Sequence, residues 1–375
     1  MPEYFERRTG LAAQFVNQAH ALVENGSGLY ADICSAAALD LAGPSLLTDV
    51  LAPWDSGRVG DMMPLRIMGA THRLVLERQA PALALYYPSV GGAAPVDGAS
   101  RTACYQAWVD TLVRHADRLP ELLAQPPQTN EIGRAAALAG MLHVIAEAWD
   151  LPIRLHELGT SAGLHLRADH IRITWHDGAV GPVNSPVQLT DAWQGASIPA
   201  PSERLNVVER VGVDLYPVDL GSVEGRLHLT SFVWADQVAR FERLRDALLL
   251  AERVPVVTVT GDLVDYVRGL ELHDGTALVI WHSATWMYLS DADRAAVDEA
   301  IARLGAEATP RSPLVRIERE YHEYQVGASF PVRATWWPAP LSHQVAAGTA
   351  LQYADSPAHG LPITWQVPTV VAPSV

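Results

Sequence analysis

The stretch from residue 151 to residue 170 constrains the fold more than any other part of the chain. An alternating apolar run reaches an acidic residue, Glu157, and five small residues follow at positions 159–163. Leu164 then begins a segment that predicts a helix. The order strand, glycine-rich turn, helix favours a parallel α/β sheet in which a ligand approaches bare backbone N–H groups. Since a carboxylate suits hydroxyl or ammonium groups and repels phosphate, we expect a nucleoside-type cofactor whose binding does not depend on phosphate groups.

The composition limits the partners of the protein. With 375 residues, 49% hydrophobic and 18% charged, the chain is long enough and apolar enough to bury a large core. Its net charge of −15 and the absence of a lysine or arginine run argue against a nucleic-acid partner. We expect a small-molecule substrate, with neither a nucleic acid nor a membrane as partner. The oligomeric state is left open.

Targeting signals and paired cysteines are not evident in the sequence. Residues 1–8 are polar and charged, unlike a secretory signal, and no apolar run approaches the length of a membrane span. Cys34 and Cys104 lie too far apart for a metal or redox motif, so we expect two buried, reduced thiols. These features favour a cytoplasmic location.

The pattern of apolar residues divides the chain into a helical region (1–127) and an α/β region (128–375). Periodic apolar stripes predict helices over residues 11–23, 102–123 and 131–149, and Asn130 is suited to cap the last of these.

Strands and helices alternate after residue 150, which predicts a mostly parallel sheet covered on both sides. Five further strands and two helices are expected: strands over 171–175, 205–213, 254–260, 277–281 and 313–317, and helices over 231–253 and 291–304. Residues 187–189 are expected to return against 171–175 as a hairpin, within an insertion over 171–205. The tryptophan-containing tail over 332–365 suits terminal antiparallel strands.

Two more predicted strands end in an acidic residue. Asp214 follows the strand at 205–213, and Asp262 follows the strand at 254–260. Ligands of open parallel sheets bind beyond the carboxyl ends of the strands, so these carboxylates and Glu157 are expected around one ligand. The structural alternative is that each aspartate only caps the following helix.

The sequence resembles the class I S-adenosylmethionine-dependent methyltransferases, and more closely a bacterial family of unknown function assigned to that fold. The resemblance covers most of the chain. Its landmarks are residues 128–131 (Gln-Thr-Asn-Glu), 157–164 (Glu-Leu-Gly-Thr-Ser-Ala-Gly-Leu), 214–217 (Asp-Leu-Tyr-Pro), 281–283 (Trp-His-Ser) and 358–360 (Ala-His-Gly). It implies an α/β, Rossmann-like methyltransferase fold with a helical N-terminal region and an inserted hairpin.

The resemblance also implies roles for individual residues. Glu157 and the turn with Gly159, Ser161 and Gly163 would hold the amino-acid portion of S-adenosylmethionine. Two aspartates would hold its nucleoside, with the ribose hydroxyls on Asp214 and the adenine amino group on Asp262. From their place at the start of the helix before the first strand, and not from the resemblance, Asn130 is also expected to contact the cofactor, and Gln128 and Glu131 are expected in the substrate pocket. Two departures from the family are that Ser161 replaces the middle glycine of the usual loop, and that residues 171–205 separate Glu157 from Asp214.

His282 directly follows a predicted strand, so its ring is expected at the ligand-facing edge, where it would act as a general base. A hydrogen-bonded structural histidine is the alternative. Trp281, Trp286 and Tyr288 are expected in the substrate pocket, where their ring faces would line the cofactor, and the alternative for these aromatic residues is a place in the core.

The sequence therefore predicts an S-adenosylmethionine-binding enzyme, a methyltransferase acting on a small molecule. Three alternatives stay open. The same fold could use the cofactor otherwise, for example by cyclising its aminocarboxypropyl arm. Residues 159–163 also satisfy the hydrolase pattern Gly-x-Ser-x-Gly, with Ser161 as nucleophile and His343 or His359 as its histidine. The third alternative is a non-catalytic binding module. No metal site is predicted, since His165 and His170 lack a zinc spacing.

Overall fold

The computed structural model of the protein describes residues 9–321 and 329–371. These residues divide into two compact units. The first consists of residues 9–129 and 218–242, and the second consists of the other described residues. The N-terminal residues that lack the features of a secretory signal lie outside the described part.

The described α-helices are, in chain order, α1 (Leu11–Glu24), α2 (Gly28–Asp40), α3 (Leu46–Leu51), α4 (Met63–Leu76), α5 (Pro81–Ala84), α6 (Gly98–Arg114), α7 (Leu119–Leu122), α8 (Ala135–Ala148), α9 (Val223–Ser231), α10 (Val238–Arg253), α11 (Leu263–Arg268) and α12 (Asp291–Ala306). Within the described ranges, none of them is long and apolar enough to cross a membrane. Short 3-10 segments connect several of these helices.

The first unit is helical and packs around its own hydrophobic core. Its residues 218–242 lie outside the predicted helical region (1–127). The fully buried Trp108 lies in this core, and its indole N–H donates to the hydroxyl of Thr71 over 3.0 Å. A partner for the indole nitrogen allows this large ring to be buried without an unsatisfied donor. Cys34 and Cys104 are free and buried in the same core, as expected from the sequence.

The predicted helix over 102–123 is broken in the structure. It begins earlier, at Gly98, because the Asp97 side chain and Ser100 form a capping box. It ends at Arg114, and α7 starts afresh with Pro120 in its first turn. Proline lacks the N–H that a continuous helix would need there.

The helix predicted over 231–253 is present as α10 but begins later, at Val238, and six residues separate it from α9. Asp236 lies in this break, and its carboxylate accepts hydrogen bonds from the hydroxyl of Ser27 (2.7 Å) and the backbone N–H of Leu29 (3.0 Å). The apolar periodicity continues through the break because Phe232 and Val233 are also buried, so the sequence pattern did not reveal it.

The second unit contains the main sheet. Its strands and those of a small sheet are β1 (Ile153–Leu158), β2 (Arg172–Trp175), β3 (Gly178–Val180), β4 (Gln188–Leu189), β5 (Trp193–Gly195), β6 (Val207–Asp214), β7 (Val257–Thr260), β8 (Ala277–Ser283), β9 (Leu314–Arg319), β10 (Phe330–Trp337), β11 (Ala350–Ser356) and β12 (Ile363–Val370). Among the described residues, nine of these strands form the main sheet in the order β5-β12-β11-β10-β9-β8-β1-β6-β7.

The centre of this sheet is parallel, as predicted. Strands β7, β6, β1, β8 and β9 pair in parallel, and β10 to β12 continue the sheet in antiparallel pairs, as expected for the tail. The chain runs outward from β1 through β6 to β7, and then crosses back to β8 on the other side of β1. This order is compatible with a Rossmann-like α/β fold, whose ligand crevice lies where the strand order reverses, here at the carboxyl ends of β1 and β8.

The insertion after β1 differs in detail from the prediction. Strand β2 forms its hairpin with β3, and β4 pairs with β2 in parallel instead of returning as the hairpin partner. The turn lies at residues 176–177, and a side chain at Gly178 would collide with the ring of Trp175 on the facing strand. Glycine at the first position of β3 thus permits a tight hairpin between β2 and β3. The prediction had placed the returning strand at residues 187–189, about ten residues too late. Strand β5 leaves the insertion and joins the main sheet beside β12.

Candidate functional site

The candidate site lies at the carboxyl ends of the central parallel strands. Glu157 of β1 lies beside Trp281 of β8, and Leu158 lies beside His282. Successive side chains of a strand point to opposite faces of a sheet. Glu157 and Trp281 therefore share one face, and His282 lies on the other.

Glu157 is almost completely buried, with 2% of its surface exposed. One carboxylate oxygen, Oε1, lies 2.8 Å from Nδ1 of His165. The other, Oε2, accepts a hydrogen bond of 2.8 Å from the hydroxyl of Thr160. The acid at the end of β1 thus has a charged or polar partner on each oxygen, which compensates its burial.

His165 is equally buried and was not selected from the sequence. Its Nε2 lies 3.0 Å from the backbone carbonyl oxygen of Glu131, and the indole N–H of Trp281 points to its Nδ1 over 3.4 Å. The eight-residue separation between His165 and Glu157 gives no recognisable motif, so the sequence held no signal for this contact.

Asn130 does not cap the helix predicted over 131–149. Its side-chain oxygen accepts from the backbone N–H of Leu164 (2.8 Å), and the Glu131 side chain instead caps a 3-10 segment that precedes α8. Asn130 therefore holds the end of the glycine-rich turn in place. Its predicted contact with a cofactor stays a prediction.

The turn after β1 is built from left-handed residues. Gly159, Ser161 and Gly163 have φ angles of 70°, 52° and 67°. This region costs little for glycine and more for serine. Arg167 donates to the carbonyl oxygen of Gly163 (2.7 Å) and so fixes the end of the turn from behind.

The helix expected after this turn was wrong. The structure has a 3-10 segment, His165–His170, with non-helical backbone angles at Arg167. The break in helical geometry lies at Arg167, whose guanidinium is anchored to the carbonyl oxygen of Val254 (2.8 Å). The turn therefore offers a ligand its backbone but no α-helix dipole.

Asp214 stands beside the turn despite its distance in sequence. Strand β6 lies next to β1, so the intervening segment 165–206 leaves the two carboxyl ends adjacent. The Oδ2 atom of Asp214 accepts from the backbone N–H of Ser161 (2.8 Å), and Oδ1 accepts from the N–H of Tyr216 (2.9 Å). Asp214 is half-buried.

Asp262 follows the edge strand β7, beside β6, and is exposed. Its carboxylate caps α11 by accepting from the backbone N–H groups of Val264 (2.8 Å) and Asp265 (3.1 Å). This is the geometry of the helix-cap alternative. An adenine contact at Asp262 stays a prediction.

The sequence predicted the ring of His282 at a ligand-facing edge, but the ring does not lie there. It is fully buried, with Nδ1 2.8 Å from Oε1 of Glu320, and its Nε2 accepts from the guanidinium Nε of Arg316 over 3.0 Å. It also stacks on Trp286 with ring centres 3.7 Å apart. Burial beneath Trp286 and engagement of both nitrogens match the structural alternative, and a catalytic role for His282 stays a prediction.

Glu320 was missed by the sequence reasoning. It directly follows β9, where an acidic strand end gave the same signal as Asp214 did after β6. Its carboxylate also accepts from the backbone N–H groups of Thr285 (3.0 Å) and Trp286 (3.3 Å), in the loop after β8. Burial raises the pKa of Glu320 to about 7, and the backbone N–H donors partly oppose this rise.

The predicted pocket aromatics are in different settings. Trp281 is fully buried beside His165, as the core alternative predicts. Trp286 is half-buried and already has the guanidinium of Arg316 over its ring, 4.9 Å from the centre. Tyr288 is 41% exposed. Gln128 is buried, in the helical unit.

Ser161 bears on the hydrolase alternative. Its hydroxyl is buried and has no hydrogen-bond partner among the described residues, so neither His343 nor His359 is bonded to it. A serine nucleophile needs a base within hydrogen-bond reach. The hydroxyl lies instead at the turn whose backbone N–H is held by Asp214.

Residues 12–365 match the bacterial family described as "uncharacterized protein conserved in bacteria", DUF2332. The chain belongs to this family. The match covers nearly all of both units of this DUF2332 protein, and so it includes the glycine-rich turn and each acidic strand end. Among curated proteins none matches the chain.

Proposed function

We propose that this DUF2332 protein binds S-adenosylmethionine and transfers a group, most simply its methyl group, to a small molecule. The observation that carries the proposal is the hydrogen bond of 2.8 Å between the Asp214 carboxylate and the backbone N–H of Ser161. It ties the acid at the end of β6 to the left-handed turn after β1, at the point where the strand order reverses. Two carboxylates and a turn of this kind suit a nucleoside with an attached amino acid.

The residues at the turn fit such a cofactor in three respects. The buried hydroxyl of Ser161 lacks a partner among the described residues and is available to donate to a ligand. Asp214 is half-buried and would accept from the ribose hydroxyls. Glu157 would accept from the ammonium group in addition to, or in place of, its present partners His165 and Thr160. The bound cofactor supplies an electrophilic carbon on its sulfonium.

The protein then contributes mainly by holding the cofactor and the acceptor and by orienting them toward each other. A nucleophile positioned in line with the reacting carbon needs little further help from the protein. The face with Glu157 and Trp281 is closely packed, which excludes water from that side of the turn. We also propose that the protein has a pocket for the small-molecule acceptor and that its fold is of the methyltransferase type.

Isothermal titration with S-adenosylmethionine and S-adenosylhomocysteine tests the proposal. Both should bind, and Asp214→Asn should weaken binding by about 10- to 100-fold, since hydrogen bonds to a charged group contribute roughly 1.5–3 kcal/mol. The matched control is Asp274→Asn. Asp274 is an exposed aspartate just before β8, at the opposite edge of the sheet, and pairs with Arg311. This control should bind as the wild type does. Failure of both ligands to bind would refute the proposal.

Product analysis separates the two uses of the cofactor. Methyl transfer leaves S-adenosylhomocysteine, whereas cyclisation of the aminocarboxypropyl arm leaves methylthioadenosine, and mass spectrometry distinguishes them. A serine hydrolase would be labelled by a fluorophosphonate. We expect no labelling at Ser161, because its hydroxyl is bonded to no histidine.

A further inference from the structure

Ser89 and His72 form a hydrogen-bonded pair within the first unit. His72 lies in α4 and is fully buried, and Ser89 lies in a short 3-10 segment after α5. The Ser89 hydroxyl lies 2.9 Å from Nε2 of the ring, and Nδ1 lies 3.1 Å from the backbone carbonyl oxygen of Ser231. Neither residue belongs to the candidate site of the second unit.

The surroundings of His72 fix the position of its ring proton. Burial lowers the pKa of His72 to about 4, so the ring is neutral at neutral pH. A carbonyl oxygen only accepts, so Nδ1 carries the proton and donates it to Ser231. Nε2 therefore presents a lone pair, and the Ser89 hydroxyl donates to it. The rings of Tyr87 and Phe241 pack against the imidazole, each with its centre 5.5 Å away, and hold it in this orientation.

The pair has the geometry of an activated nucleophile. A hydroxyl bonded to the lone pair of a base, with the base oriented by a third group, is the arrangement that activates serine. Ser89 is half-buried, whereas its base lies behind it in the core.

We propose that Ser89 is a nucleophile that accepts the acyl group of small esters, with His72 as its general base. The oxygen of Ser89 forms a bond to the acyl carbon, and its proton passes to Nε2 of His72. The bond between the acyl carbon and the alcohol oxygen breaks, and the alcohol leaves with that proton. Water then releases the acid from Ser89 by the same route.

The backbone after Ser89 limits which esters react. The three N–H groups at residues 90–92 all donate to carbonyl oxygens within the loop, over 3.0–3.1 Å, so none of them is directed at a bound ester. The lack of one oxyanion donor costs about 10²–10³-fold in rate. Burial of His72 also disfavours the imidazolium that forms during the reaction. The reactive esters are therefore those with a good leaving group, such as aryl esters.

Exposed apolar side chains flank Ser89 in this loop. Leu85 and Val90 expose 68% and 42% of their surface. The carbonyl oxygen of Leu85 accepts from the backbone N–H of Ala93 over 2.9 Å, which brings the two ends of the loop together. Apolar surface beside the nucleophile favours an acyl group without charge.

Labelling of the full chain with a fluorophosphonate, located by peptide mass spectrometry, tests the nucleophile. Ser89 should react about 100-fold or more faster than Ser100, because a general base contributes about 10²–10⁴-fold. Ser100 is the matched control within the same unit, since it is half-buried and its hydroxyl is bonded to the Asp97 carboxylate instead of to an imidazole. The difference should disappear in denaturing urea, where the pair with His72 no longer forms. Equal rates for the two serines in the folded protein would overturn the inference.

Two variants separate catalysis from structure. With p-nitrophenyl acetate, the wild type and the control Ser100→Ala should release a burst of p-nitrophenolate, and Ser89→Ala should give none. His72→Gln keeps an amide that can donate to Ser231 and accept from Ser89 but cannot take a proton, so labelling should slow by about 100-fold or more.

Circular dichroism establishes whether His72→Gln is folded. A folded His72→Gln that labels at the wild-type rate, or a burst that persists in Ser89→Ala, would show that the inference is wrong. If His72→Gln does not fold, the rates of Ser89 and Ser100 in the wild-type protein, with and without urea, decide the question.

Discussion

Two buried acid–histidine pairs lie at the ends of the parallel strands, on opposite faces of one sheet. Glu157 and His165 are on one face, and Glu320 and His282 are on the other, with 2.8 Å between acid and ring nitrogen in each pair. The residue types and the distances are the same. The difference is what the second ring nitrogen meets.

In the Glu157 pair that nitrogen faces a carbonyl oxygen, and in the Glu320 pair it faces the guanidinium Nε of Arg316. A guanidinium can only donate, so Nε2 of His282 must accept, and His282 is neutral with its proton on Nδ1. The second ring nitrogen of the first pair instead faces an acceptor. The second pair holds a fixed tautomer and anchors the loop after β8. The two pairs thus differ in the partner of one ring nitrogen, which is an acceptor in the Glu157 pair and a donor in the Glu320 pair.

Glu320→Ala should have the largest effect on stability. It leaves three buried donors without their acceptor: the ring N–H of His282 and the backbone N–H groups of Thr285 and Trp286. A buried donor left without an acceptor costs about 1–3 kcal/mol, so the loss of one acceptor for three donors should exceed about 3 kcal/mol. Urea unfolding measures this loss in the free energy of unfolding.

The control for this experiment is Glu299→Ala, an exposed acid on α12, which should change the free energy of unfolding by less than about 0.5 kcal/mol. If Glu320→Ala lowered the free energy of unfolding by no more than the control does, the Glu320–His282 pair would not stabilise the fold. The comparison between the two faces would then fail.

The pH dependence of stability should identify the same acid. Since the pKa of Glu320 rises from 4.5 to about 7 on folding, the unfolded chain loses this proton between those values while the folded protein keeps it. Rising pH therefore favours unfolding there, at up to about 1.4 kcal/mol per pH unit. The Glu320→Gln variant should lack this decline, as measured by urea unfolding at several pH values.

The quantity to compare is the difference between the two pH profiles. Burial lowers the pKa of His72 to about 4, so that group destabilises the protein as the pH falls, in the opposite sense. His72 lies in the helical unit and contributes equally to both proteins, so its effect cancels. Parallel profiles for wild type and Glu320→Gln would contradict the assignment.

The sequence predicted the parts of the fold that depend on local pattern. The central strands, the α1 helix and the start of α12 at Asp291 follow from apolar periodicity, and the structure has them. What it could not supply were contacts between distant segments. From its neighbours in sequence, Asn130 was expected to cap a helix. Its side chain instead accepts a hydrogen bond from the backbone N–H of Leu164, thirty-four residues away.

The same limit applies to the candidate site. Acidic strand ends located Glu157 and Asp214 correctly at adjacent carboxyl ends, because strand adjacency follows from the parallel fold. The partners of the acids did not follow, since His165 and Thr160 meet Glu157 only through the geometry of the turn. The face of His282 depends on strand register, which a shift of one residue reverses.

Thr160→Val should have the smallest effect and should distinguish the two pairs most finely. Valine matches the shape of this fully buried threonine, whose side chain packs against Gly212, but it cannot donate to Oε2 of Glu157. Loss of a hydrogen bond to a charged group predicts a fall of about 1.5–2 kcal/mol in the free energy of unfolding, measured by urea unfolding. The Glu320 pair on the other face is untouched, so the decline with pH assigned to it should remain. Thr258→Val on the exposed strand β7 is the matched control and should stay within about 0.5 kcal/mol of wild type. If Thr160→Val also removed that decline, the two faces would be coupled and the Glu157 pair would not act alone.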